Sequence, residues 1–204
     1  DIGTGCGIIP MLMAHREPQI KLTGIEIQNS AANQAEENIS KNEMKIKIIR
    51  GDFLKWEWAS KQFDLIVSNP PYRKINSGRT NPDEGKAISR HELKLSLSTM
   101  LNKAKPILKR GGHITLAYPP IRLQETLREL DRRELYPSRV RFIHGNKTAE
   151  AKIFLVDAVK EKKSDLIIYS PLCVYNKDGS YSKEMQEIYD SFNCFNGAHQ
   201  FGEK

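Results

Sequence analysis

Cysteine is scarce in this 204-residue chain, which holds only Cys6, Cys173 and Cys194. An odd number at unrelated spacings excludes a disulfide framework, and without paired Cys or His positions beside them no zinc or other metal site is expected. Their expected state is the reduced thiol. Long apolar runs are also lacking, since none reaches the ~18 residues of a membrane span, and the opening residues carry neither the basic nor the apolar region of a secretory leader. No membrane partner is therefore expected, and the expected setting is the cytoplasm. Internal repeats and low-complexity tracts are missing too, which excludes solenoids and leaves an ordinary globular organisation.

A further absence lies at the start. Asp1-Ile2-Gly3-Thr4-Gly5-Cys6-Gly7 reads as a strand end and the turn after it, with no strand in front. In a doubly wound α/β fold such a turn follows the first, central strand, whose removal would leave its neighbours unpaired. The natural N-terminal segment is accordingly expected to be left out of this chain. What is present suits one domain over residues 1–204, with 39% hydrophobic residues for a core. The net charge of +7 is compatible with a polyanionic partner such as nucleic acid.

The turn's glycines allow close approach of backbone to a ligand, and Ile8 to Ala14 begins a helix with Pro10 in its first turn, where proline is tolerated. A small polar ligand fits at that helix start. Leu22 to Ile27 reads as a short strand containing Glu26, 19 residues after Gly7. In this class of fold an acid about 20 residues past the glycine turn accepts hydrogen bonds from the ribose of an adenosine-containing cofactor. Ala31, Ala32, Ala35 and Ile39 share one helix face. Ile46 to Ile49 forms a third strand running into Gly51-Asp52. Asp52 suits either a cofactor's adenine amino group or a turn cap.

The fourth strand, Phe63 to Ser68, delivers the chain to Asn69-Pro70-Pro71-Tyr72. Two prolines cannot continue a sheet, because each lacks a backbone donor and fixes its own φ, so the chain leaves in a stiff turn. Such a turn presents a side-chain amide, carbonyl oxygens and an aromatic face in fixed positions, as a flat amino-bearing target requires. Residues 73–90 read as a polar, basic loop in which Arg73, Lys74, Arg79, Lys86 and Arg90 suit phosphate contacts. Leu93 to Leu108 steps by threes and fours as an amphipathic helix stopping at Gly111-Gly112, and His113 to Tyr118 is the fifth strand. A helix over 121–135 follows. Arg139–Ile143 and Lys152–Val159 are expected to pair antiparallel at one sheet edge. Lys160 to Lys163 reads as a solvated exit from the sheet, followed by a turn at 176–179 and a helix over 183–189.

The glycine turn, Glu26 and Asp52 together resemble the class I S-adenosylmethionine-dependent methyltransferases. The resemblance implies a Rossmann-like α/β fold with a seven-stranded sheet, helices on both faces and the first strand largely missing here. It implies S-adenosylmethionine as cofactor, held by Asp1, Gly3, Gly5, Gly7, Glu26, Asp52 and Asn69. Asn-Pro-Pro-Tyr after the fourth strand resembles the enzymes that methylate adenine N6, cytosine N4 or glutamine N5, with Asn69, Pro70 and Tyr72 as the catalytic group. Ala87-Ile88-Ser89-Arg90-His91-Glu92, Pro120 to Leu123, Ala151 to Val159, Pro171 to Asn176 and Tyr181 are similar to the bacterial tRNA1(Val) (adenine-37-N6)-methyltransferases. That family implies a tRNA partner, and a monomer is expected. The alternatives are the glutamine N5-methyltransferase of peptide-chain release factors, a DNA adenine methyltransferase, and a catalytically silent RNA-binding module.

Overall fold

A computed structural model describes residues 1–60, 62–70, 96–163 and 165–192. After the opening turn, α1 (Ile8–Arg16), β1 (Leu22–Glu26), α2 (Asn29–Lys41), β2 (Ile46–Arg50) and β3 (Phe63–Ser68) follow in order. Then come α3 (Leu97–Ile107), β4 (Leu108–Tyr118), a short 3-10 turn (Pro120–Arg122), α4 (Leu123–Asp131), β5 (Leu135–His144) and β6 (Ala151–Lys160). Two-residue strands β7 (Ile167–Ile168) and β8 (Leu172–Cys173) and helix α5 (Lys183–Asp190) complete the described chain.

β1 and β2 pair in parallel, as do β3 and β4, whereas β6 runs antiparallel between β4 and β5. Ile2 forms single parallel bridges to both Ile25 and Ser68, so one residue joins the β1–β2 pair to the rest of the sheet. Because β3, β4, β5, β7 and β8 share a direction, their carboxyl ends line one rim. The expected antiparallel partnership of β5 and β6 is present, but not at an edge, since β7 and β8 continue the sheet beyond β5.

Alternation along β4 follows from which face is covered: Ile114, Leu116 and Tyr118 are buried in the core with Met100, Leu101, Ala104 and Leu130 from α3 and α4. The odd-numbered residues face the other side. There Asp157, 8% exposed, accepts from Thr115 Oγ1 at 2.9 Å, Ser138 Oγ at 2.9 Å and Arg139 Nη2 at 3.0 Å, and contacts His113 Nδ1 at 2.9 Å. Burial alone would raise the Asp157 carboxyl's pKa, but the hydrogen bonds from His113, Arg139, Ser138 and Thr115 outweigh it and hold the value below the usual range. A buried carboxylate is tolerated because it is surrounded by donors.

Two expectations are corrected here. Helix α3 ends at Ile107, not at the paired glycines, and β4 begins at once. Lys160 is 5% exposed, not part of a solvated exit. The corrections share a cause. Lys160 Nζ donates to the carbonyls of Lys105 at 2.9 Å and Leu108 at 2.8 Å, so a buried cation caps the helix end and offsets its partial negative charge. The glycines serve β4 instead. Gly111 has φ +71°, and a Cβ on Gly112 would lie 2.9 Å from the Lys109 carbonyl oxygen, so this bulge against β3 needs both.

Candidate functional site

The glycine turn is held by hydrogen bonds to two strands, β1 and β3. Ile2 N donates to Val67 O at 2.9 Å, Gly3 N to Ile25 O at 3.0 Å, and Ile25 N to Asp1 O at 3.0 Å. Gly3, Gly5 and Gly7 have φ of +71°, +56° and +84°, where a side chain is strained. Gly7 also opens α1, and a Cβ there would sit 3.2 Å from that of Ala35 on α2. Close packing of α2 therefore depends on Gly7 and Ala35 together.

Glu26 ends β1 and is 6% exposed. Its Oε2 accepts from Gly5 N at 2.9 Å and its Oε1 from Gln28 N at 2.8 Å. A carboxylate has about four acceptor sites, so these two bonds orient it and leave capacity for hydroxyl donors. Gly51 N donates to the Glu26 carbonyl at 2.8 Å, which brings the end of β2 alongside. Asp52 Oδ1 accepts from Leu54 N at 2.9 Å, the turn-capping role that its neighbourhood also suggested.

The fourth strand ends beside the same turn. Ser68, 3% exposed, donates from Oγ to Ile2 O at 2.9 Å. Asn69, the next residue, is exposed, and Pro70 is buried. The rim thus gathers Asp1, Gly3, Gly5, Gly7, Glu26, Asp52, Asn69 and Pro70. Pro71, Tyr72, Arg73, Lys74, Arg79, Lys86, Arg90, His91 and Glu92 lie outside the described residues, as does Cys194. Cys6 and Cys173 are free thiols.

The cradle suits a polar ligand carrying hydrogen-bond donors. Both carboxylate oxygens of Asp1 and Thr4 Oγ1 are buried with no hydrogen-bond partner among the described residues. Buried acceptors left unsatisfied are costly, so a ligand bringing an ammonium or hydroxyl would be favoured there. A Cβ built on Gly3 or Gly5 meets nothing within 4 Å, so the space over these residues is open. Among the described residues no group of three His, Cys, Asp or Glu side chains could hold a metal ion, and no helix is long and apolar enough to cross a membrane.

Three contributors are not apparent from motif spacing. Gly24 lets β1 pass under the turn, because a Cβ there would lie 2.9 Å from Thr4; a glycine inside a strand is the available signal. Ser68 ties β3 to the turn. Tyr118, at the carboxyl end of β4 and 2% exposed, has Arg122 Cζ 4.7 Å from its ring centroid. Burial raises its hydroxyl to about 12, with Arg122 opposing, so it stays protonated.

A methyltransferase small domain family model matches residues 1–134. The tRNA1(Val) (adenine(37)-N6)-methyltransferase of Bacteroides thetaiotaomicron is 35% identical over 122 residues, covering 58% of this chain and 50% of that protein. The chain thus spans half the length of that relative. The protein of the same name from Parabacteroides distasonis is 33% identical over 177 residues, covering 82% of this chain and 73% of its own length. Among solved structures, a predicted O-methyltransferase from Agrobacterium tumefaciens superimposes with a TM-score of 0.71 at 18% identity, over 94% of this chain and 87% of that one. At that identity the likeness concerns the fold, a mostly parallel α/β sheet with packed helices.

Proposed function

We propose, from the premise that the chain belongs to the methyltransferase small domain family and within it to the tRNA1(Val) (adenine(37)-N6)-methyltransferases, that it methylates the exocyclic N6 of an adenine in the anticodon loop of valine tRNA, using S-adenosylmethionine. The observation that carries this reading is the meeting of the Asp1–Gly7 turn with Ser68-Asn69-Pro70 on one rim, through the Ser68–Ile2 hydrogen bond and the Ile2–Val67 pairing. Donor site and acceptor clamp are adjacent by construction.

When bound, S-adenosylmethionine supplies a sulfonium-activated methyl group. Glu26, oriented by Gly5 N and Gln28 N, accepts the ribose hydroxyls, and the unsatisfied Asp1 carboxylate receives donors at the turn. Asp52 keeps Oδ1 on the backbone of Leu54 and offers its other oxygen to the adenine amino group. The Asn69 side-chain oxygen and the Pro70 carbonyl accept the two N–H bonds of the target amine. Its lone pair is delocalised into the ring in the free base. Two acceptors favour a tetrahedral nitrogen whose lone pair points at the methyl carbon, and they stabilise positive charge as it develops there. The new bond is N–C, the broken bond is S–C, and the nitrogen releases one proton to solvent. Tyr72 is assigned the stacking partner of the target base, a contact worth ~1–3 kcal/mol. Holding donor and acceptor in line supplies much of the remaining rate.

An anticodon-loop adenine is already partly unpaired, so presenting it costs less than extracting a base from duplex. Phosphate contacts by Arg73, Lys74, Arg79, Lys86 and Arg90 make binding fall steeply with salt. The test is transfer of labelled methyl from S-adenosylmethionine to a valine tRNA transcript and, in parallel, to a release-factor peptide carrying the methylatable glutamine. Label in tRNA alone is expected; label in the peptide alone would replace this reading with the glutamine N5 activity.

A further inference from the structure

Among the described residues, three exposed aromatic side chains cluster where β8 leaves the sheet. Tyr175 and Tyr181 face each other across an antiparallel bridge with ring centroids 5.3 Å apart and planes 17° apart. Tyr189, on α5, lies 4.9 Å from Tyr181. Despite these contacts the three are 44%, 41% and 43% exposed. A hydrogen bond with Tyr189 raises the pKa of the Tyr181 hydroxyl, so that ring is neutral at physiological pH.

Cross-strand pairing accounts for the Tyr175–Tyr181 contact but leaves much of all three rings in water, and contiguous exposed apolar surface marks a binding face. The topology fixes where that face points. Val174 N and Tyr175 N donate to His144 O and Gly145 O, just past the carboxyl end of β5. That end lies on the same rim as Ser68 and Asn69, because β3, β4 and β5 are parallel. Four strand spacings, β3 to β4 to β6 to β5 to β8, set the tyrosines roughly 19 Å from Asn69 across the sheet, and the pairing registers set them about five residues, roughly 16 Å, further along the strand direction.

Two lysines beside the tyrosines suit phosphate contacts. The exposed Lys147 and Lys177 flank Tyr175, and neither makes an ion pair among the described residues. Of the acids nearby, Glu184 pairs with Arg141 and Glu187 with Lys183 at 3.8 Å, while Asp178 accepts from Ser180, Asp190 accepts from Gln186 at 2.9 Å, and Glu150 is exposed.

We propose that Tyr175, Tyr181 and Tyr189 form a stacking platform for unpaired bases of the tRNA substrate, a second RNA contact on the catalytic rim with Lys147 and Lys177 holding adjacent phosphates. Aromatic rings bind single-stranded bases through their π faces, and lysines beside them track the backbone. The platform rests on the tRNA reading above and extends it, because it fixes the direction in which the RNA lies across the sheet.

The test is fluorescence anisotropy of a labelled valine anticodon stem–loop with the wild-type protein and with Tyr175→Ala, Tyr175→Phe, Tyr189→Ala and Tyr189→Phe. Each Ala variant is expected to bind roughly tenfold to a hundredfold more weakly, while each Phe variant stays within about twofold, because stacking uses the ring and not the hydroxyl. S-adenosylmethionine affinity is expected to be unchanged in all four. Ala variants that melt like wild type and bind the RNA equally well would overturn the platform. If an Ala variant does not fold, photocrosslinking of wild-type protein to the stem–loop decides: adducts on Tyr175 or Tyr189 support the platform, and adducts confined to other residues overturn it. A wild-type protein that binds no tRNA would remove the substrate reading itself, and the platform with it.

Discussion

Glu26 closes the glycine turn and is the proposed acceptor of the cofactor's ribose, and replacing it by glutamine separates the two contributions. The carboxylate is 6% exposed and accepts one backbone N–H on each oxygen, Gln28 N at 2.8 Å and Gly5 N at 2.9 Å. Glutamine offers one acceptor oxygen and one NH2, so whichever way the amide turns, one of those backbone donors faces another donor. Leaving a buried N–H unpaired costs about 2 kcal/mol, which in a chain of this length lowers the Tm by roughly 4–8 °C. The negative charge that would accept the ribose hydroxyls is lost as well. Charge-assisted hydrogen bonds contribute ~1.5–3 kcal/mol each, so the Kd for S-adenosylmethionine rises by at least roughly tenfold. Differential scanning calorimetry reads the first effect and isothermal titration the second. Glu36→Gln is the control: it removes an exposed partner of Arg50 and should leave both quantities nearly unchanged. A Glu26→Gln protein that melts within a degree of wild type and binds the cofactor equally well would refute the assignment.

Gly7→Ala places a Cβ at φ +84° and 3.2 Å from the Ala35 Cβ, which at about 2 kcal/mol of backbone strain and crowding lowers the Tm by roughly 4–8 °C; an unchanged melt would show that α1 and α2 are not held by this contact. Asp157→Asn is expected to destabilise by about 2–3 kcal/mol at pH 7, because hydrogen bonds to a charged acceptor are replaced by weaker ones. Since the folded-state carboxyl titrates below its unfolded value of ~3.9, its contribution is complete above that value and is lost as pH falls through the folded one. Urea melts should therefore show the gap between wild type and variant narrowing below about pH 4, and a gap that widens there would contradict the sign. Asn69→Ala should lower kcat roughly a hundredfold or more with little change in cofactor Kd, as expected for a group that acts on developing charge; retained turnover would move the clamp elsewhere.

The parts of the fold legible from sequence are those whose cause is local. An apolar run identifies β3, helical spacing identifies α2, a short connection identifies the β5–β6 pair, and the glycine turn with Glu26 19 residues on identifies one corner of the rim. What was not legible depends on residues distant in the chain. The end of α3 is set by Lys160, 55 residues from the Lys105 carbonyl it caps, and nothing in Lys160-Glu161-Lys162-Lys163 distinguishes a buried ammonium from a solvated one. Gly111-Gly112 have the composition of a helix stop, yet their space and φ serve a bulge in β4. The two-residue strands β7 and β8 are too short for any period to register. Asp157 lies between apolar neighbours in β6, and only pairing with β4 and β5 brings His113, Thr115, Ser138 and Arg139 around it. At the site itself, spacing pointed to Glu26, but not to its bond with Gly5 or to the need for Gly24 beneath Thr4.

The central claim is that Asn69 and Pro70 present an adenine amine to a methyl donor held by the adjoining glycine turn. The most direct measurement is nucleoside analysis by mass spectrometry of a valine tRNA transcript incubated with the protein and S-adenosylmethionine. The account predicts N6-methyladenosine at one anticodon-loop position and none with Asn69→Ala. A transcript that gains no methyl group under conditions where the protein binds both ligands, or one methylated at a position other than adenine N6, would contradict it.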